Sequence, residues 1–241
     1  TAFPLVIGGG PCAFNPEPLA DFCDAFVIGD GEAAVLEIAD TVIRFKHQGD
    51  GKKITLLKEL SKVSGVYVPR FFTVSYDKNG CQTVSPVYGD YTRVKRAFLP
   101  ELTTDNFPAA PIVPFGKPVH DRLRLEIARG CTRGCRFCQA GMIYRPVRER
   151  SLTDLVEITR ASLAATGYSD ISLLSLSTGD YSCLAALMTR LLAISRNQCN
   201  SISLPSIRAE RLTPELMTLI KRVRKTGFTI APEAGTQRLR D

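Results

Sequence analysis

Arg129-Gly130-Cys131-Thr132-Arg133-Gly134-Cys135-Arg136-Phe137-Cys138-Gln139 is the stretch whose reading decides the fold. Its cysteines follow the spacing C-x3-C-x2-C, and no fourth cysteine lies nearby. Iron–sulfur cubanes ordinarily take four thiolates. Three leave one iron without a protein ligand, and an open position on a metal is where exogenous chemistry occurs, as the contrast between catalytic and structural zinc shows. The loop therefore reads as a metal centre that must bind something else. A zinc site needs a fourth ligand, and the nearest candidate is His120, eleven residues before Cys131. A redox pair of Cys135 and Cys138 leaves Cys131 unexplained. A disulfide framework is not needed by a chain of 241 residues, which can bury a core without staples.

Outward from this loop, residues 122–241 repeat a strand–helix rhythm. Strands are expected at Leu123–Ala128, Ile171–Leu176, Ser201–Leu204 and Phe228–Ile230. Ser151-Leu-Thr-Asp154 is a capping-box variant that opens a helix to about Ala165. A second helix is expected from about Tyr181 to Ser195, and Thr213-Pro214-Glu215 starts a third with proline at its first position. Short connections between parallel strands predict an α/β fold with about four βα units of a TIM-like barrel. Active sites of such barrels gather at the C-terminal strand ends. Here those ends carry the cysteines, then Ser177, Thr178, Gly179 and Asp180, then Ser206 and Arg208, then Glu233 and Gly235.

Upstream, residues 1–45 read as the C-terminal part of a doubly wound α/β domain. Leu5–Ile7 and Ala25–Ile28 are short apolar strands of a parallel sheet, and a helix is expected around Pro18–Phe22. Gly9 and Gly10 form a turn at the C-terminal end of the first strand, where a ligand can approach the backbone. Gly29-Asp-Gly-Glu32 opens a helix to about Phe45, and His47 reads as a solvated loop residue. Residues 46–121 form a connector. It has an amphipathic helix Lys53–Val63 with Ile54, Leu57, Leu60 and Val63 on one face, strands Val66–Val68 and Phe71–Tyr76, and a hairpin turn at Asp77–Gly80. A proline-rich stretch from Phe107 to Pro118 cannot be helical and leads into residues 122–241.

Composition is that of an ordinary globular chain, 44% hydrophobic and 23% charged, with no membrane-spanning apolar run and no signal peptide. Eight cysteines without secretory context predict a reducing, cytoplasmic setting. The strand at the front and the helix at the end both look cut, so the chain reads as a piece of a longer protein. A four-strand piece would leave a parallel edge exposed. The net charge of +7 is dense around the loop, at Arg129, Arg133, Arg136, Arg145, Arg148 and Arg150. These arginines suit either an RNA substrate or the compensation of an anionic thiolate cluster, and the second is the favoured expectation.

The C-x3-C-x2-C run, with Phe137 just before the third cysteine, resembles the radical S-adenosylmethionine (SAM) superfamily. The longer run from Glu126 to Ser151 is similar to the members that carry an N-terminal cobalamin-binding-type domain. That resemblance implies a 4Fe–4S cluster on Cys131, Cys135 and Cys138, with SAM chelated to the fourth iron. Reductive cleavage of SAM to a 5′-deoxyadenosyl radical is implied with it, as is a six-unit barrel of which about four units are present. It further implies Ser177, Thr178, Gly179 and Asp180 at the SAM amino group, Ser206 and Arg208 at its carboxylate or ribose, and Glu233 and Gly235 near its ribose and adenine. Gly9 and Gly10 are implied at cobalamin. An electron donor such as flavodoxin or ferredoxin is the implied partner, and methyl transfer from methylcobalamin the natural reaction. Other readings are a tRNA-modifying methylthiotransferase-like protein and a non-catalytic iron–sulfur or zinc module. Cys12, Cys23 and Cys81 are scattered and form no second cluster motif. No residue presents itself as a general acid or base.

Overall fold

The computed structural model describes residues 4–116, 118–198, 201–205, 207–221 and 234–240. The chain divides into two compact units, Thr1–Pro100 and Glu101–Asp241.

In the first unit, β1 (Ile7–Gly8) pairs parallel with β2 (Ala25–Val27), Ile7 opposite Ala25. Only a single 3-10 turn, Glu17–Leu19, forms where a helix was expected around Pro18–Phe22. Helix α1 (Glu32–Gln48) runs one turn beyond its expected end, which places exposed His47 in the last helical turn beside Lys46. Cations are favoured there by the helix dipole. Helix α2 (Lys53–Leu60) stops three residues early; Leu56, Leu57 and Leu60 are its buried face, and Val63 packs from the following turn.

The next strand, β3 (Val66–Tyr67), expected as part of the connector, instead joins this sheet, antiparallel to β2. One helix between strands returns the chain for a parallel strand; two helices return it twice, so β3 enters from the opposite end. A hairpin of β4 (Phe72–Tyr76) and β5 (Gln82–Pro86) follows. Its turn is the expected one: Asp77 Oδ1 accepts from the amides of Asn79 and Cys81, both at 2.8 Å.

Gly29-Asp30 is a structural clamp. The Asp30 amide donates to Ala97 O at 2.9 Å, its carboxylate accepts from the Leu99 amide at 2.8 Å, and the Ala97 amide donates to Ile28 O at 2.8 Å. Gly29 has φ +113°, and a Cβ there would lie 2.1 Å from Ala97 O. Gly29→Ala combines a left-handed backbone with a backbone collision. It should cost about 3 kcal/mol, read as a lowered urea midpoint; an unchanged midpoint would show that residues 97–99 are not docked this way.

In the second unit, β6 (Leu123–Glu126), β9 (Asp170–Leu174) and β10 (Ser201–Ser203) form a parallel sheet in the order β10-β9-β6. Leu123, Ile171 and Ile202 stand in one row, with Leu125 opposite Leu173 in the next. These residues point to one face, as strand alternation demands. There they meet Leu155 and Ile158 of α4 (Leu152–Thr166), Leu187, Met188 and Leu191 of α5 (Leu184–Gln198), and Leu216 and Ile220 of α6 (Pro214–Lys221). Ser151 Oγ caps α4 by accepting from the Asp154 amide at 3.1 Å, and Gly167 at φ +71° ends it. Thr213 Oγ1 caps α6.

The first barrel strand is shorter than expected. After Ile127 the chain leaves the sheet, and β7 (Ala128–Arg129) pairs antiparallel with β8 (Arg148–Glu149). Two further short helices are α3 (Ala140–Ile143) and α7 (Gln237–Arg240). Helix α5 starts three residues later than expected, because Tyr181 is extended (ψ 126°) and its hydroxyl donates to Arg150 O at 2.9 Å. The fourth expected strand, Phe228–Ile230, lies outside the described residues. Among them, no helix is long and apolar enough to cross a membrane.

Candidate metal centre

The β7–β8 pair closes the base of an excursion, 130–147, that carries all three motif cysteines. Gly130 begins it at φ +92°; a Cβ there would sit 2.5 Å from Tyr144 O and 2.9 Å from Pro146 O. Only glycine lets the outgoing and returning chains approach this closely. Gly134 at φ +68° turns the chain between Cys131 and Cys135. Cys131, Cys135 and Cys138 are half-buried free thiols. The Arg133 amide lies 3.5 Å from Cys131 Sγ, and the Cys138 amide donates to Cys135 O at 3.0 Å. Phe137, between the second and third cysteines, is 72% exposed.

The donor chemistry fits an iron–sulfur cluster. The loop offers three soft thiols, and the chain's two histidines, His47 and His120, lie outside it. Among the described residues no three His, Cys, Asp or Glu side chains are gathered as a ligand set. Thiolates brought together without a cation repel one another, and metal sites of this kind couple binding to local folding.

A cavity of about 190 Å³ opens beside Cys131, between this loop and the C-terminal end of β9. Thr132, Glu149, Ser175, Ser177 and Asp180 contribute its polar lining. Glu149 accepts from the Ser182 amide at 2.9 Å and from its hydroxyl. Of the residues expected here from sequence, Ser177, Thr178, Gly179 and Asp180 lie together in and before one 3-10 turn. Thr178 is buried, its hydroxyl 2.9 Å from that of Ser175. Asp180 is not a helix cap: its carboxylate is bound by Arg133, Arg211 and Ser177. Gly179 faces Arg211, whose Cβ would be 2.8 Å from a side chain there. Arg208 is exposed and pairs with Glu210 at 3.1 Å. Gly235 is exposed. Ser206 and Glu233 lie outside the described residues. Gly9 and Gly10 belong to the first unit, where both are exposed at the end of β1 with open space at their Cα atoms.

The arginine-rich segment is largely turned inward. Arg129 grips Glu126 through two bonds of 2.9 Å, Arg133 binds Asp180, and Arg148 and Arg150 are buried; Arg136 and Arg145 remain exposed. The Arg133 hydrogen bonds hold the Asp180 carboxyl well below the usual carboxylate range, aided by Ser177 and Arg211 and opposed by burial. A carboxylate whose folded-state pKa is depressed stabilises the fold above its unfolded pKa of about 3.9 and loses that contribution as pH falls through the folded value. Asp180→Asn should therefore cost roughly 1 kcal/mol near neutrality, the order expected of a partly exposed network. The gap from the parent should close as pH drops below about 4; a gap constant with pH in thermal melts would exclude this origin. Burial, helped by the nearby Cys183 and Glu149, pushes the Tyr181 hydroxyl up to about 12, so it serves as a neutral hydrogen-bond donor.

Sequence reasoning missed Glu149 and Arg211 as neighbours of this site, and Arg133 as the partner of Asp180. The one available signal was the position of Arg133 between two ligand candidates; its partner lies 47 residues away and is chosen by the fold.

Comparison with known proteins agrees with this architecture. Residues 1–69 match the model of radical SAM proteins, N-terminal, and residues 125–241 match the radical SAM superfamily. An uncharacterized protein of Methanocaldococcus jannaschii is 31% identical over 238 residues, covering 98% of this chain and 44% of that protein. The radical SAM methyltransferase TsrM of Kitasatospora setae, solved with cobalamin and a 4Fe–4S cluster bound, aligns over 88% of this chain and 39% of its own at 14% identity and a TM-score of 0.50. The same enzyme with tryptophan substrate and the SAM analogue aza-SAM covers 88% and 38% at 14% identity and a TM-score of 0.52. The chain thus spans less than half the length of the relatives it matches. A cysteine loop at the C-terminal end of the first strand of a parallel sheet, preceded by the matched N-terminal domain, makes this chain a member of the radical SAM superfamily.

Proposed function

We propose that the chain is the core of a radical SAM enzyme in which Cys131, Cys135 and Cys138 hold a 4Fe–4S cluster with one iron open to SAM. The observation that carries this reading is the position of the C-x3-C-x2-C loop at the end of β6, with a polar cavity beside Cys131. When bound, the cluster and SAM together supply a 5′-deoxyadenosyl radical that removes a hydrogen atom from the substrate.

The chain's own residues bind and shield. Glu149, Ser175 and Ser177 offer acceptor oxygens for an ammonium group beside Cys131. Arg208 offers a planar fork suited to a carboxylate. Buried Tyr181 is part of the cavity lining, and a closed wall there would keep water from a reactive intermediate. Cobalamin-dependent methyl transfer is the reaction we favour. It is supported by the fold shared with TsrM and by the open backbone at Gly9 and Gly10, at the C-terminal end of a parallel strand.

The test is anaerobic loading of the full-length protein with iron and sulfide, then reduction by dithionite. The EPR signal of the reduced cluster should change on adding SAM, and 5′-deoxyadenosine should accumulate. A cluster indifferent to SAM would exclude the enzyme class; no spectral change on adding hydroxocobalamin would exclude the methyl-transfer route alone.

A further inference from the structure

The cluster loop is fixed at its base by β7–β8 and along its length by a charge network that neither composition nor spacing foretells. Arg133 Nε donates to Asp180 Oδ2 at 2.7 Å, and Nη2 donates to Oδ1, a bidentate grip. Ser177 Oγ donates to the same carboxylate at 2.7 Å and Arg211 Nε at 2.9 Å. Glu210 lies 3.2 Å from Arg133 Nη1 and pairs with Arg208. The Arg133 amide faces Cys131 Sγ at 3.5 Å, and its guanidinium interacts electrostatically with that thiol. Gly179 leaves room for Arg211 to reach the carboxylate, since a Cβ there would meet the Arg211 side chain at 2.8 Å.

We infer that Asp180 is a positioning residue for the cluster: by anchoring Arg133 and Arg211 it fixes the segment between Cys131 and Cys135 and sets the net charge facing the metal. The inference rests on the proposed cluster. It does not make Asp180 a ligand of SAM, since the carboxylate already binds two arginines and a hydroxyl. Cluster potentials respond to nearby charge and to hydrogen bonds at sulfur. Removing a negative charge favours the reduced, more anionic state; removing a positive charge opposes it.

The experiment is a potentiometric EPR titration of full-length, anaerobically loaded protein, with iron and sulfide assayed alongside. Asp180→Asn should keep the parent's iron and sulfide content and move the midpoint potential to a less negative value. Arg133→Gln should move it the opposite way, and Asp180→Glu should return it toward the parent. A purely structural role predicts cluster loss or no shift, not shifts of opposite sign. Equal potentials in all loaded variants, or displacements of Asp180→Asn and Arg133→Gln in one direction, overturn the inference while leaving the cluster intact as a finding. Parent protein that takes up no cluster overturns the functional reading itself, which separates the two failures.

Discussion

Alanine at Cys131, Cys135 or Cys138 is expected to abolish iron–sulfur loading and 5′-deoxyadenosine formation in each single variant. A cubane held at three corners has no redundancy: removing one thiolate leaves two, and each thiolate holds a different iron. The loop contains no histidine to substitute, and Cys12, Cys81 and Cys183 are exposed thiols in other segments. Serine at Cys12 or Cys81 should leave iron, sulfide and the SAM-dependent EPR change at parental levels. The pattern of three silent variants and two normal ones distinguishes a site-specific cluster from adventitious iron, which would fall in proportion to thiol number. A single loop variant that retained a SAM-responsive signal would refute the ligand assignment.

Arg150→Met is expected to produce the largest loss of stability in the second unit, about 3–5 kcal/mol, the range for stripping one partner from a buried charged network. The Arg150 side chain is fully buried. Its Nε donates to Glu126 O at 3.2 Å, Nη1 to Thr103 O and to Asn106 Oδ1 at 3.1 Å, and its guanidinium lies 5.6 Å from the Phe107 ring centre. The residue therefore ties the 103–107 segment to the strand that delivers the cysteines. Methionine matches the stem but supplies no donors, so buried carbonyls lose their partners. Lysine should fail almost as badly, because one ammonium cannot reproduce the planar fork. Thermal melting of the apoprotein should fall by on the order of 10 °C for a unit of this size. A change under about 1 kcal/mol would mean that water replaces these contacts at little cost.

Legibility differed sharply between residues. The cysteine loop was readable because its chemistry is local: three thiols and two turn glycines within ten residues need no distant partner to be recognised. The βα rhythm, the Ser151 and Thr213 caps and the Asp77–Gly80 turn were readable for the same reason, since each depends on neighbours a few positions away. Element ends were less so. The first barrel strand shortened because residues 128–129 found a partner in residues 148–149, and α5 began late because Tyr181 was held by Arg150.

The site's charge chemistry was scarcely legible. From sequence Asp180 reads as a hydrogen-bond acceptor for a bound ammonium, and the arginines as compensation for an anionic cluster. Their pairing sorts them instead into a buried strut at Arg150, a carboxylate grip at Arg129 and a clasp on Asp180 at Arg133. The order of residues alone determined that this chain carries a three-cysteine loop within an α/β framework, because motif spacing and periodicity are properties of contiguous sequence. Only the tertiary structure decided which charge meets which, and that β3 runs antiparallel to β2. Those choices depend on residues tens of positions apart whose meeting is fixed by packing, and packing is a property of the whole chain.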